Sequence, residues 1–265
     1  MAFKDTLHAT QVASESLGVF WLGQAGFLFK TPGGKVIVVD PYLSDYVYKI
    51  LGGEYGNGFK RMTAPLFDPG DIEIDYLFAS HEHGDHLDVD ALQLLLKDGK
   101  TPIYTNTESA RIMTEAGAPK KSVHVLHKGE THDFGEFKLT ITAADHGDLC
   151  PDALGFIFDF GFVRVYYSGD TAYTKTILQQ AIDAQPEIVL LPINGAFGNL
   201  NAEQAAQFAN DLSAKACMPH HFWTFPLHNG DKGSPMDAIE AFPKYAPGCE
   251  LIMRYPGEAY IYTKR

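Results

Sequence analysis

Cysteine is scarce in this chain. The three cysteines, Cys150, Cys217 and Cys249, are an odd number, and none of them belongs to a CxxC pair. A framework of disulfides is therefore not expected, and a reducing compartment fits the sequence better.

Long apolar runs are missing as well. No run approaches the roughly 18 residues that a membrane-spanning helix needs. The N-terminal stretch MAFKDTLHATQVASESLG is polar and lacks the apolar centre of a secretory signal. We therefore expect a cytoplasmic protein that does not bind membranes.

Positive charge is in deficit. The chain has 33 acidic and 21 basic residues, which gives a formal net charge of -12. This balance argues against nucleic acids and anionic membranes as partners, because both favour a positively charged face. A small anionic substrate stays compatible with it, because bound metal ions can dominate the field of a pocket.

The pattern along the chain predicts one domain over residues 1–265. No linker, repeat or low-complexity tract interrupts it. Strand-like runs dominate the first part, and Pro32-Gly33-Gly34 predicts a hairpin between residues 19–30 and 35–40. Residues 52–59, rich in glycine and aromatics, predict a loop long enough to cover a site. Later strands alternate with helices, so two packed sheets with helices on their outer faces would bury both kinds of apolar surface.

Polar residues that can bind metals follow directly after several apolar strands. His81 follows the strand that ends near Ser80, Asp170 follows a strand that ends at Ser168, and the pair His220 and His221 follows Pro219. Side chains at strand ends are held by rigid elements and remain open to solvent, which suits a catalytic site.

The densest group of these residues is the run HEHGDH, residues 81–86. Imidazole and carboxylate groups are the usual ligands of zinc and similar divalent ions. His81 and His83, two residues apart on an extended segment, point the same way and can hold one ion. The turn at Gly84 could then direct Asp85 and His86 toward a second ion. A structural zinc site would favour cysteine, so the run indicates a catalytic two-metal centre.

HEHGDH after an apolar strand resembles the signature of the metallo-β-lactamase superfamily. The likeness covers nearly the whole chain through WLGQAGF at 21–27, VIVVDPYLS at 36–44, DHG at 145–147, SGDT at 168–171 and PHHFWTF at 219–225. Within the superfamily, the sequence is most similar to the L-ascorbate-6-phosphate lactonase (UlaG-like) group through WLGQAGFLFK and LPINGAFGNLNAEQA. The resemblance implies an α+β fold, the four-layer αββα sandwich.

The resemblance also implies a ligand set and a reaction. One divalent ion, zinc or manganese, would be held by His81, His83 and His146, and the other by Asp85, His86 and His221, with Asp170 bridging them. His83 stands where an iron-based relative has glutamate, which favours hydrolysis over redox chemistry. A hydroxide shared by the two ions would open a lactone of a sugar or sugar phosphate, with Asp85 carrying the proton to the leaving oxygen. A homo-oligomer is the implied assembly.

Five further residues are candidates for supporting roles. Asp40 would orient the ligand loop or form a turn, and His220 is the alternative to His221 as the last ligand or else packs behind it. Asn194 would face the pocket or form a turn, and Arg61 would meet a substrate phosphate or carboxylate or else be solvated at the surface. His228 would donate a proton or bind substrate, or else be an ordinary surface histidine.

Two rival functions remain open. Phosphodiester cleavage uses the same kind of bimetallic site, because two metal ions suit phosphoryl oxygens as well as carbonyl oxygens. A non-catalytic metal-binding module is the rival from another class. The complete ligand set argues against it.

Overall fold

The computed structural model describes residues 2–97 and 99–264. Within them the strands, in chain order, are β1 Ser16–Gly23, β2 Gly26–Lys30, β3 Val36–Val39, β4 Tyr76–Ala79, β5 Ile103–Thr105, β6 Val123–Val125, β7 Thr131–Asp133, β8 Lys138–Ala143, β9 Leu154–Asp159, β10 Arg164–Tyr167, β11 Ile188–Pro192, β12 Ala216–His220, β13 Glu250–Leu251 and β14 Ala259–Thr263. The helices are α1 Phe3–Ala9, α2 Tyr46–Tyr55, α3 Val89–Leu95, α4 Thr107–Glu115, α5 Lys175–Ala184, α6 Ala202–Asp211 and α7 Pro235–Tyr245. Short 3₁₀ turns lie at Gly56–Phe59, Lys120–Ser122 and Gly147–Leu149.

The chain divides into two compact units. The first unit is Met1–Leu126 with Arg254–Arg265, and the second is His127–Met253. Each unit contains one seven-stranded sheet. In the described part of the chain, no helix is both long enough and apolar enough to cross a lipid bilayer.

The sheet of the first unit has the order β14-β1-β2-β3-β4-β5-β6. Its first four strands pair antiparallel, and β3, β4, β5 and β6 pair parallel. The buried apolar side chains of β3 and β4, such as Val38 and Leu77, pack with Leu92 and Leu95 of α3 in the core. Asp88 begins α3 by accepting a hydrogen bond from the Ala91 amide (3.1 Å), as its position before the helix predicts.

The sheet of the second unit has the order β13-β12-β11-β10-β9-β8-β7 and is also mixed. β7 to β10 pair antiparallel, and β10 to β13 pair parallel. Every residue of the central strand β11 is buried, as expected for a parallel strand covered on both faces. α6 begins with a capping box between Asn201 and Gln204, so Asn201 is the helix cap that its spacing predicts.

The elements predicted from hydrophobic periodicity are largely present, and the errors have clear causes. The hairpin at residues 32–34 is confirmed by the antiparallel pairing of β2 with β3. The predicted loop at residues 52–59 is wrong, because α2 continues through Gly52 and Gly53 to Tyr55 and a 3₁₀ turn follows. Gly52 and Gly53 lie in the last turns of α2, and glycine in a sequence usually indicates a loop. The short strands β6, β7, β13 and β14 and the helices α1 and α7 were missed.

Candidate metal centre

Parallel pairing brings Asp40 and the HEHGDH run together in the first unit. Asp40 directly follows β3, and Ser80 directly follows the neighbouring parallel strand β4. The Asp40 amide donates to the Phe78 carbonyl (2.9 Å), which continues the ladder one residue further. The carboxyl ends of parallel neighbours meet at one edge of a sheet, so residues 40 positions apart in sequence become adjacent.

The Asp40 carboxylate is a buried acceptor that organises this edge. Its Oδ1 accepts a hydrogen bond from the Ser80 amide (2.7 Å), and its Oδ2 accepts one from the Ser80 hydroxyl (2.5 Å). The same Oδ2 lies 2.6 Å from Nδ1 of His86. A carboxylate can only accept, so His86 carries its proton on Nδ1 and directs the lone pair of Nε2 away from Asp40.

The Ser80 hydroxyl also fixes the tautomer of His81. Its single proton goes to Asp40, so Ser80 Oγ accepts a hydrogen bond from Nδ1 of His81, which lies 2.9 Å away. His81 therefore also presents an unprotonated Nε2. Histidine ligands of metals are commonly held in this way, with the other ring nitrogen donating to a carboxylate or hydroxyl. Ser80 was not among the candidates from the sequence, since a small polar residue at a strand end carries no distinctive signal.

His81 and His83 form the first pair of candidate ligands. Nε2 of His81 and Nδ1 of His83 are 3.1 Å apart. Two nitrogens bound to one zinc ion at about 2.0–2.1 Å in a tetrahedral arrangement lie about 3.4 Å apart. This spacing therefore fits two ligands of a shared cation.

Asp85 and His86 form the second pair, and Gln24 supports it. Asp85 Oδ2 lies 3.7 Å from Nε2 of His86 and accepts a hydrogen bond from the Gln24 side-chain amide (2.8 Å). Gln24 is buried, has a left-handed backbone (φ 48°), and its carbonyl accepts a hydrogen bond from the Trp21 indole (2.9 Å). The sequence analysis missed Gln24 as a site residue, although an amide within the apolar run Leu22–Phe27 was a usable signal.

We expect replacement of Gln24 to weaken the second pair without unfolding the protein. Gln24→Ala removes the hydrogen bond that the Gln24 amide donates to Asp85 Oδ2. Residues that hydrogen-bond to metal ligands typically contribute about 10- to 100-fold in metal affinity or activity. The measurement is the metal dissociation constant by competition with a chelator. Gln179→Ala, which removes an exposed side chain whose amide bonds Asp183 in α5, is the control. Equal metal affinity in the two variants would contradict this role.

In the second unit, Asp170 lies between two histidines. Its Oδ2 is 3.6 Å from Nε2 of His146, and its Oδ1 is 3.0 Å from Nε2 of His221. β8 and β10 run in the same direction because both pair antiparallel with β9, so His146 and Asp170 follow strands that end at one edge. Parallel β12 brings His221 to the same edge. A carboxylate that gives one oxygen to each histidine has the arrangement of a bridging ligand.

His220 and His221 occupy different environments. His220 is the last residue of β12, is buried, and its ring stacks on Tyr167 with the ring centroids 5.4 Å apart. His221 has a left-handed backbone (φ 69°), which turns its side chain toward Asp170. Non-glycine residues rarely adopt this conformation, and such strain is concentrated at functional sites. The structure thus places His221, rather than His220, against the carboxylate.

His228 lies beside His221, with 4.3 Å between the ring centroids. It is buried, and Phe225 contacts its ring (5.3 Å). Asn194 Nδ2 donates to the His228 carbonyl (3.1 Å), so Asn194 holds the His228 segment in place. These contacts keep both residues within the candidate site of the second unit.

Arg61 makes contacts within its own unit. Its guanidinium donates to the carbonyls of Thr63 (2.8 Å), Ser44 (2.9 Å) and Tyr42 (3.3 Å) and lies over the Tyr42 ring. Burial lowers the pKa of Arg61 from its ordinary value. Asp88 holds the same segment by accepting from the Ser44 amide (2.8 Å). These contacts give Arg61 a structural task in addition to the predicted substrate contact.

The donor set fits divalent metal ions. The first unit offers His81, His83, Asp85 and His86, and the second offers His146, Asp170 and His221. Asp40, His81 and His86 also lie close enough together to form a metal-binding group. Imidazole and carboxylate donors without thiolate suit zinc or manganese, and the ring nitrogens that Asp40 and Ser80 leave open can serve as ligand atoms.

Comparison with known proteins identifies the family. A sequence model described as the beta-lactamase superfamily domain matches residues 18–221, so the chain belongs to the metallo-β-lactamase superfamily. It is similar to the UPF0173 metal-dependent hydrolase of Archaeoglobus fulgidus, with 28% identity over 93% of this chain and 99% of that protein. The UPF0173 metal-dependent hydrolase of Herpetosiphon aurantiacus is 29% identical over 92% of this chain and 97% of that protein. The predicted superfamily is confirmed, and metal-dependent hydrolase is the class of these relatives.

Solved structures with the same fold include an isothiocyanate hydrolase from Delia radicum gut bacteria. Its TM-score is 0.78 at 21% identity, over 94% of this chain and 100% of that one. Igni18, a metallo hydrolase of Ignicoccus hospitalis, gives a TM-score of 0.71 at 20% identity, over 94% of this chain and 100% of that one. The predicted fold class, the α+β metallo-β-lactamase fold with two mixed sheets and helices, is confirmed.

Proposed function

We propose that the protein is a metal-dependent hydrolase that uses two divalent cations, zinc or manganese, held by the ligand set that the family resemblance implies. The observation that carries the proposal is Asp170, whose two oxygens face His146 and His221 separately. The pairs His81 with His83 and Asp85 with His86 supply matching ligands for two ions. The family match covers residues 18–221, which include all of these residues.

The reaction that we propose is the hydrolysis of an ester bond in a lactone. Two divalent cations, when bound, activate water near neutral pH and polarise the carbonyl oxygen. Asp85, oriented by Gln24, accepts the proton of the attacking water and passes it to the leaving ring oxygen. His228, beside His221, is the alternative donor of that single proton, in place of Asp85. Water adds to the carbonyl carbon, the ring C–O bond breaks, and a hydroxy acid results.

A substrate panel tests this function against its rivals. Purified protein of known metal content is assayed on unsubstituted lactones, a sugar-phosphate lactone and bis(p-nitrophenyl) phosphate. We expect lactone opening to exceed phosphodiester cleavage. The reverse ranking supports the phosphodiesterase, and metal-replete protein that is inert on every compound supports the non-catalytic module. The sugar-phosphate substrate and the contact of Arg61 with its anionic group stay predictions.

Two further proposals concern the cellular location and the oligomeric state of the protein. The three cysteines are buried free thiols, which supports a reducing, cytoplasmic location. We also propose a homo-oligomer, for which the molar mass in solution by light scattering is the test.

We expect the activity to fall below about pH 6, because histidine must be neutral to bind a metal. An ordinary imidazole has a pKa of about 6.5, so acid favours the imidazolium, which has no lone pair for a cation. The decline should follow the loss of metal and reverse on return to pH 7.5 with added metal. A flat rate from pH 5 to 8 at constant metal content would contradict it.

A further inference from the structure

A strained turn in the second unit carries an exposed aromatic ring beside the site. Residues 196–199 form the turn, in which the Asn199 amide donates to the Ala196 carbonyl (3.0 Å). Phe197 (φ 53°) and Gly198 (φ 82°) are consecutive left-handed residues. Asparagine and glycine are the usual occupants of such positions. Phenylalanine is disfavoured there, and its side chain is 45% exposed, so core packing does not account for it.

The turn lies against two residues of the candidate site. The Phe197 ring is 5.5 Å from the ring of His228, measured between centroids. A Cβ atom added at Gly198 would lie 4.0 Å from Nδ1 of His146. The turn therefore borders both a candidate ligand and the candidate proton donor within one unit.

Asn199 brings a buried polar group to the same turn. Only 7% of the residue is exposed, and neither Nδ2 nor Oδ1 of its side chain has a hydrogen-bond partner among residues 2–97 and 99–264. Buried amides are nearly always paired, because their burial without a partner is costly. A side-chain amide offers two donors and an acceptor, which match a carboxamide or carbonyl group of a ligand.

The neighbouring segments offer apolar contact rather than positive charge. Residues 194–201 and 221–234 contain a single basic residue, Lys232, whose Nζ bonds Glu203 (2.8 Å). Trp223, between His221 and His228, is 57% exposed and has a left-handed backbone (φ 62°). Anionic substrates are normally held by arginine or lysine, so this edge of the second unit suits an uncharged substrate.

We propose that the turn at residues 196–199 recognises the non-reacting part of a neutral substrate. An aryl or alkyl group packs on Phe197, and an amide or carbonyl group next to the lactone pairs with Asn199. This inference rests on the proposed lactone hydrolysis and specifies its substrate class: a neutral lactone takes the place of the anionic sugar-phosphate lactone that the resemblance implies.

The test uses four γ-lactones that differ only in the α substituent, together with one anionic sugar-phosphate lactone. The set is γ-butyrolactone, its α-acetamido, α-benzyl and α-benzamido derivatives, and the anionic 6-phosphogluconolactone. We expect kcat/KM to be highest for the α-benzamido lactone, at least about tenfold above the unsubstituted ring, with most of the gain in KM. A preference for the phosphorylated lactone, or equal rates on all five, overturns the proposal and leaves the proposed hydrolysis intact.

Matched variants assign the preference to the turn. Phe197→Asn suits the left-handed backbone and removes the ring, whereas Phe197→Tyr keeps the ring. We expect the first to lose the aryl preference and the second to retain it, while Asn199→Ala loses the amide preference. Ile177→Ala, at an exposed apolar position in α5, is the control. Metal content and Tm should match wild type throughout, and equal losses on all lactones would overturn the assignment.

Binding without turnover separates this inference from the proposed function. The γ-lactam analogue of the α-benzamido lactone is titrated calorimetrically into metal-loaded wild type and the same variants. If no lactone is opened, the proposed hydrolysis fails. At least about fivefold weaker lactam binding by Phe197→Asn and Asn199→Ala would still support the recognition turn, and equal binding would overturn it.

Discussion

Asp170→Asn should lower kcat/KM by about a thousandfold or more and reduce the metal bound per chain. In the wild type each carboxylate oxygen faces the Nε2 of a different histidine. An asparagine keeps the shape but has one oxygen and one NH₂ group, and the NH₂ group is a donor that cannot bind a cation. The substitution also removes the negative charge that offsets two divalent ions. The loss of a single electrostatic contact at such a site already lowers kcat by about 10²–10³-fold.

The measurement pairs metal analysis with steady-state kinetics on the lactone that the wild type opens best. Asp159→Asn is the control, because Asp159 is an exposed aspartate of the same unit that pairs with Arg164. We expect this control to keep wild-type metal content and rate, since exposed ion pairs contribute little. Full metal occupancy and full activity in Asp170→Asn would refute the bridging role and, with it, the proposed centre.

Asp40→Asn should weaken metal binding by about 10- to 100-fold, although we do not assign Asp40 as a metal ligand in the proposed centre. The wild-type carboxylate accepts hydrogen bonds from Ser80 and from Nδ1 of His86. The asparagine NH₂ group would donate to His86 Nδ1 and drive the proton onto Nε2, the nitrogen that the metal needs. The loss of charge-assisted, fully buried hydrogen bonds should also cost about 2–3 kcal/mol of unfolding free energy.

Two readouts separate these effects. Urea unfolding in the presence of chelator reports the stability change without metal, and ¹⁵N chemical shifts of the histidine rings report the tautomer. Ser80→Ala should disturb the His81 ring more than the His86 ring, because Ser80 is the partner of His81. Asp90→Asn, at an exposed residue paired with Lys49, should leave the histidine spectrum unchanged. An unaltered His86 tautomer in Asp40→Asn would rule out this positioning role.

Much of the fold was predictable because hydrophobic periodicity is a local signal. The hairpin around residues 32–34 is present as β2 and β3, and the strands predicted before His81 and Asp170 are present as β4 and β10. The short strands β6, β7, β13 and β14 were missed because two to five residues with mixed burial carry little periodicity. α2 was partly taken for a loop because Gly52 and Gly53 oppose helix in isolation.

The sequence alone indicated which residues could bind metal ions. The spacing in HEHGDH places four donors within six residues, and the resemblance named His146, Asp170 and His221 in the order in which the chain presents them. The superfamily follows from these local motifs, and the comparison confirms it. Local spacing was sufficient because a metal-binding loop uses neighbouring residues.

Only the tertiary structure decided how the side chains are held. The hydrogen bonds from Ser80 and His86 to Asp40, the support of Asp85 by Gln24, and the choice of His221 over His220 to face Asp170 depend on strands that lie side by side. Side-chain direction at these points also depends on left-handed backbones at Gln24, Asp40 and His221. Such contacts join residues 40 to 61 positions apart, a separation at which pairing is set by the packing of the sheet rather than by local spacing.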